Sequence, residues 1–192
     1  MDAASLVDSR LACSARAIDA LQTQRNALAE VIVLVREALG RGATVFTCGN
    51  GGSAAQALHL AEELVGRYKS NRPALRAVCL NADPTALTCI ANDFGFEEVF
   101  ARQVQGLART GDVLVVLSTS GRSANLLRAV DAAEVAGVTT IGLLGGDGGE
   151  TTGRCSKALV VNAPDSAGVQ EAHLMIIHMI CEGLEPHAAP RN

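Results

Sequence analysis

Thr47-Cys48-Gly49-Asn50-Gly51-Gly52-Ser53 is the stretch on which the reading of this chain turns, and His59 and Glu63 follow it. It reads as the end of a strand, a glycine turn and the start of a helix. Glycines let backbone N–H groups approach an anion closely, and a helix that begins there points its positive end at the same place. His59 and Glu63 are spaced i, i+4 and share one helix face, as a metal-binding pair or an acid/base pair would. Alone, the pair would better suit the solvated edge of an amphipathic helix. The glycine turn upstream tips the reading toward a phosphate cradle beside a catalytic pair, and so toward a phosphorylated small-molecule substrate.

Outward from this point, β-rich runs stand at 43–48, 76–81, 113–118, 138–144 and 158–162. Helical segments are expected near 54–66, 84–92, 96–109, 122–136 and 167–186. Helix-period apolar positions over 3–40 (Leu6, Leu11, Ile18, Leu21, Leu28, Ile32, Val35) predict one or two N-terminal helices, closed by Gly40 and Gly42. The alternation predicts an α/β fold: a five-stranded parallel sheet with helices on both faces, in three layers. Trp is absent and aromatics are scarce, so Ala, Val, Leu and Ile must build the core, which suits a parallel sheet. No linker interrupts the pattern. One domain is expected over 1–192, with a helical segment to residue 42 and an α/β core from 43.

A second turn resembles the first. Leu117-Ser118-Thr119-Ser120-Gly121-Arg122-Ser123 also carries a strand into a helix. Hydroxyls and N–H groups of Ser118, Thr119, Ser120 and Ser123 would grip a phosphate, although capping by Ser120 or Ser123 would need fewer of them. Two such turns at the carboxyl ends of parallel strands mark the rim where ligands of open α/β sheets bind. Neither turn is GxGxxG, and no Walker lysine follows, which disfavours dinucleotides and ATP.

Near the C-terminus, Gln170, Glu171, His173 and His178 punctuate an apolar helix. At about 100° per residue, Gln170 and His178 fall about 80° apart and can edge one face. A histidine in such a run is ordinarily a core residue, but a polar site at the helix edge is the alternative, with burial available to tune an imidazole. Asn92-Asp93 reads as a loop before Phe94-Gly95-Phe96, either a turn or a sugar-hydroxyl contact.

Formal net charge is −4 with both signs interspersed, and no basic run suggests nucleic acid or an anionic membrane. Six cysteines without a CxxC pair read as free thiols, not as a disulfide or zinc–thiolate framework. The first residues carry Asp2 and Asp8 without a continuous apolar run, unlike a secretion signal, and no stretch would span a bilayer. The expected compartment is the cytoplasm.

Together these stretches resemble the sugar isomerase (SIS) family, and within it the phosphoheptose isomerases. The resemblance rests on CGNGGSA at 48–54, HLAEELVGRY at 59–68, NRP at 71–73, ANDFGF at 91–96, GDVLVVLSTSGRSAN at 111–125 and QEAHLMIIH at 170–178. It implies a homotetramer with active sites between subunits and a bound zinc. It places His59, Glu63, Gln170 and His178 where metal ligands stand. Asn50, Gly51, Gly52, Ser53, Glu63, Asn92, Asp93, Ser118, Thr119, Ser120, Ser123 and Gln170 fall on substrate-contacting positions, with Arg67 nearby. The implied reaction is aldose–ketose isomerisation of sedoheptulose 7-phosphate to D-glycero-D-manno-heptose 7-phosphate through an enediol, with Glu63 as base and His178 as its acid/base partner.

The chain departs from that pattern at Gln56, Leu58 and Arg122, where Asp, Gln and Asn are usual, and over 162–169. Two other readings stand beside the isomerase. One is a non-catalytic relative that scaffolds the replication initiator, against which the retained Gly51-Gly52-Ser53, Glu63 and His178 weigh. The other is an isomerase or sensor for a different sugar phosphate.

Overall fold

The computed structural model describes residues 2–185. The expected helix to residue 186 therefore has its last position outside the described residues. In order, the elements are α1 (Ala3–Ala20), a 3₁₀ turn (Leu21–Gln24), α2 (Arg25–Gly40), β1 (Val45–Gly49), α3 (Gly52–Val65), β2 (Ala77–Cys79), α4 (Pro84–Phe94), a 3₁₀ turn (Phe96–Glu98), α5 (Ala101–Leu107), β3 (Val113–Ser118), α6 (Ala124–Val135), β4 (Thr139–Gly145), α7 (Gly149–Thr152), β5 (Lys157–Val161) and α8 (Ser166–Gly183). The sheet is parallel throughout, in the order β2-β1-β3-β4-β5.

Side chains alternate across a strand, and the core divides accordingly. Val113, Val115 and Leu117 of β3 face a layer built from α1, α2, α3 and α8, including Val31, Leu60, Leu64 and Ile176. Leu114 and Val116 face α5 and α6, with Phe100, Val104, Leu126 and Val130. Both faces of the sheet are dry, which is why its strands are nearly continuous aliphatic runs. The three-layer α/β architecture expected from the sequence is the one observed. Among the described residues no helix is long and apolar enough to cross a membrane.

Several boundaries differ from expectation, including that of α8, which ends at Gly183; three of the differences have a clear local reason. The run 76–81 pairs only through Cys79, because the Asn81 side chain then replaces a ladder partner. It accepts from Gly49 N–H at 3.1 Å and donates to the Gly49 carbonyl at 3.0 Å. The helix expected over 96–109 is broken: a 3₁₀ turn precedes α5, and Val99 and Phe100 drop into the core between them. Asn92 and Asp93 are not in a loop. They form the last turn of α4, which runs on until Gly95, at φ +94°, ends it.

This strand order reverses direction between β1 and β3, so that point is the topological switch where ligands of open α/β sheets bind. The glycine turn leaves β1 and the serine turn leaves β3. The fold thus sets the two turns side by side.

Candidate active site

The glycine turn is held by its backbone. Gly51, at φ +56°, adopts a conformation that side-chain-bearing residues rarely take, and α3 begins at Gly52. Across the switch point, Asn50 and Asn125 exchange reciprocal amide hydrogen bonds of 2.9 Å each, tying the glycine turn to the first turn of α6. Gly52 lies against α8: a Cβ there would sit 2.4 Å from Gln170 Nε2 and 2.7 Å from its Oε1. The Gln56 amide donates to the Gln170 carbonyl at 2.5 Å. Gln56 thus holds α8 against α3, although its own Oε1 is buried without a partner.

One and two turns further along α3 come His59 and Glu63, with His59 Nε2 at 3.5 Å from Glu63 Oε1. That is ion-pair reach without hydrogen-bond alignment, since Nε2 is buried and has no hydrogen-bond partner. The ring of His178 lies beside them, its centroid 5.5 Å from that of His59 and 5.7 Å from that of Tyr68. Glu63 is anchored at its backbone: Arg72 Nη2 donates to the Glu63 carbonyl at 2.7 Å and Nη1 to the Leu64 carbonyl at 3.0 Å. Those bonds satisfy carbonyls in the last turn of α3 and leave the carboxylate free. Arg72 in turn faces Glu185. Arg67, past the end of α3, is exposed.

The serine turn is stiff. Ser118 is buried, and its Oγ accepts from Gly121 N–H at 2.9 Å, so this hydroxyl shapes the turn from within. Ser120 is exposed, while Thr119 and Ser123 are half-buried. Ser123 occupies the N-cap of α6 without making a side-chain cap, which leaves its hydroxyl available. Arg122 turns toward Asp147 in a two-point ion pair of 2.9 and 2.6 Å. The carboxylate also accepts from Gly149 N–H, and these partners hold Asp147 down to about 2.

The two histidines of α8 part company. His178 joins the site. His173 is fully buried, with Nε2 at 3.3 Å from the Leu144 carbonyl and Nδ1 unpartnered. Burial pushes it down to about 4. Since its folded value lies below the ordinary 6.5, the stability it confers is full above that pH and is lost as pH falls toward 4. The loss should be on the order of 3 kcal/mol. Urea unfolding at pH 7 and pH 4.5 should show that drop in the native chain and a smaller one in His173→Phe. Identical drops in both would refute the assignment.

Asn92 and Asp93 are brought to no part of this arrangement within the chain. They are exposed, and among the described residues Asp93 accepts from the Asn92 amide at 2.7 Å and from Cys89 Sγ at 3.7 Å. All six cysteines are free, as expected. Four positioning residues are not among the expected site residues: Tyr68, Arg72 and Asn125, which lie within the stretches that carry the resemblance, and Asn81. Buried Asn125, next to an N-cap, carried the clearest signal.

The SIS domain matches residues 12–145. This chain belongs to the SIS domain family. A phosphoheptose isomerase of Nitratiruptor sp. is 52% identical over 149 residues, covering 78% of this chain and 80% of that one. The structure of the phosphoheptose isomerase from Neisseria gonorrhoeae superposes with a TM-score of 0.89 at 38% identity, covering 95% of this chain and 98% of the other. One from Francisella tularensis gives 0.90 at 32%, covering 96% and 98%. The likeness to these two structures takes in nearly the whole chain, more than the residues the domain matches.

Whether a metal suits the site can be asked of the residues present. Among the described residues no group of three or more His, Cys, Asp or Glu side chains is placed to hold one. The donors nevertheless suit zinc: a buried imidazole nitrogen without a partner faces a carboxylate, with a second imidazole alongside. Gln170 would have to supply the fourth donor as an amide.

Proposed function

We propose that this chain is a phosphoheptose isomerase, converting sedoheptulose 7-phosphate to D-glycero-D-manno-heptose 7-phosphate by aldose–ketose isomerisation, a first step toward nucleotide-activated heptose. The observation that carries the reading is the meeting of Glu63 and His59 from α3 with His178 from α8, beneath two turns built for an anion.

In this reading the serine turn, through Thr119, Ser120, Ser123 and the N–H groups that Ser118 arranges, holds the 7-phosphate. Binding energy at that remote end positions C1 and C2. Asn50, Gly51, Gly52 and Gln170 line the path of the sugar, and Ser53 lies buried behind them in the first turn of α3. Glu63 takes the proton from C1 while the C2 carbonyl oxygen receives one from His178, giving the enediol. His178 then takes the proton from O1 as Glu63 returns its proton to C2. Both groups end as they began. His59, Glu63, Gln170 and His178 would hold a zinc, which would polarise the substrate oxygens. One oxygen of Glu63 and one ring nitrogen of His178 must stay clear of the metal for the protons they move.

A homotetramer with sites between subunits fits the exposed apolar residues Leu6, Val7, Leu11 and Ile18 on α1. It also fits α4, in which no residue is fully buried, and which a neighbouring subunit would need if Asn92 and Asp93 are to reach a sugar. The cytoplasm is the matching compartment, and neither nucleic acid nor membrane has a role.

The test is incubation with sedoheptulose 7-phosphate in deuterated water, followed by NMR. Deuterium at C2 of a heptose 7-phosphate is the expected result, and a chelator should suppress it, with recovery on adding zinc. No exchange from the folded, zinc-supplied protein would overturn the activity. Exchange indifferent to chelator would overturn the metal.

A further inference from the structure

At the opposite end of the sheet, where β1, β2 and β3 begin, lies a cavity of about 350 Å³. Three arginines from three separate connections line it: Arg41 beyond α2, Arg76 before β2 and Arg109 before β3. None of them forms an ion pair with a carboxylate among the described residues, whereas Arg10, Arg72, Arg122, Arg128 and Arg154 all do. Arg16, Arg25, Arg36, Arg67 and Arg102 also lack one among the described residues, but none of them lines this cavity, where three unpaired guanidiniums meet in a chain of net charge −4.

The only carboxylate lining the cavity is Asp112, and it is already engaged. It is buried, with Oδ1 accepting from Thr44 N–H and Oδ2 from Arg109 N–H, each at 2.7 Å. It therefore fixes the backbone of the cavity floor and does not bind the guanidiniums. Two of the three arginines are also pre-set. Arg76 Nε donates to Thr44 Oγ1 at 3.2 Å and Arg109 Nη1 to the Ala108 carbonyl at 3.0 Å, which leaves their remaining N–H groups unassigned. Three guanidiniums against one carboxylate leave two positive charges. That matches a phosphate monoester, which carries about −1.5 to −2 at neutral pH and accepts paired N–H donors from arginine.

We propose that this cavity is a second, non-catalytic binding site for a phosphorylated small molecule. It shares no ligand with the candidate active site: Asp112 precedes β3 and Ser118 ends it, so the two lie about 20 Å apart at a strand's rise per residue. The inference rests on the arginine cluster and stands whether or not the proposed isomerase reading does.

Inorganic pyrophosphate is the probe, titrated calorimetrically into the native protein and, in parallel, into the arginine variant. The expected result is one binding event per chain, weakened at least tenfold in Arg76→Gln/Arg109→Gln. The isomerase rate without pyrophosphate should be unchanged in that variant, and its thermal melting should match the native chain. Absence of binding, equal binding by the variant, or equal competition by sulfate at matched ionic strength would overturn the site. So would retention on anionic phospholipid vesicles without pyrophosphate binding, which would mean that the arginines read a membrane surface instead.

Discussion

Glu63→Gln should lower kcat by about a thousandfold while leaving the fold intact, a loss in the range expected when a general base is removed. The substitution keeps the shape of the side chain and removes the lone pair that accepts the C1 proton. Structure should survive because what anchors this residue is its carbonyl, held by Arg72 Nη2 at 2.7 Å, and not its carboxylate. Among the described residues the one ion-pair partner of the carboxylate is His59 Nε2, at 3.5 Å and without hydrogen-bond alignment. Deuterium exchange at C2 should fall with turnover, because both depend on the same proton transfer. Zinc content, measured in parallel, separates two origins of the loss. A variant with the native chain's metal content but without its exchange has lost the base. Near-normal turnover would remove Glu63 from the mechanism.

Much of this site is legible in the chain because its parts are punctuated locally. Glycine turns cannot be continued as strand or helix, so Gly51-Gly52 and Ser118–Ser123 mark the ends of β1 and β3 wherever the rest of the sheet goes. The His59–Glu63 spacing is likewise a property of one helix. What the sequence conceals is pairing at long range. The reciprocal amides of Asn50 and Asn125 join residues far apart in the chain, and neither residue type announces its partner. The same holds for Asn81, which shortens β2 by taking the place of a backbone partner of Gly49. Asn92 and Asp93 lie in a helix and not in the expected loop because the residue that stops α4 is Gly95, so the helix runs on past the polar pair to Phe94. His173 and His178 share a helix and an apolar context, and only the packing of α8 against β4 on one side and α3 on the other separates a core imidazole from a site imidazole.

Gly121→Ala is the substitution expected to cost most in stability. Gly121 stands at φ +62°, and a Cβ there would lie 1.9 Å from the Gly148 carbonyl oxygen and 2.4 Å from its carbon. Both obstacles are backbone, so no rotamer change relieves them. The converse also holds, since a Cβ on Gly149 would meet the Gly121 carbonyl oxygen at 2.4 Å. The crossing is bolted by Thr151, whose N–H and Oγ1 both donate to the Gly121 carbonyl, at 3.1 and 2.8 Å. Relief therefore means pulling the serine turn from the β4–α7 turn and breaking those bonds. With left-handed strain added, the cost should be on the order of 3 kcal/mol or more. For a chain of this size that lowers Tm by roughly 6–12 °C. Because the displaced turn is the one assigned to the 7-phosphate, KM should rise by more than kcat falls. Gly146→Ala is the control: its φ is +65°, but a Cβ there meets nothing within 4 Å, so it carries the strain without the collision. Its Tm should fall by much less and its KM should not move. Equal losses from the two variants would mean that backbone conformation alone matters here. A Gly121→Ala protein with native Tm and KM would show that the turns separate freely, and that the serine turn owes nothing of its shape to β4.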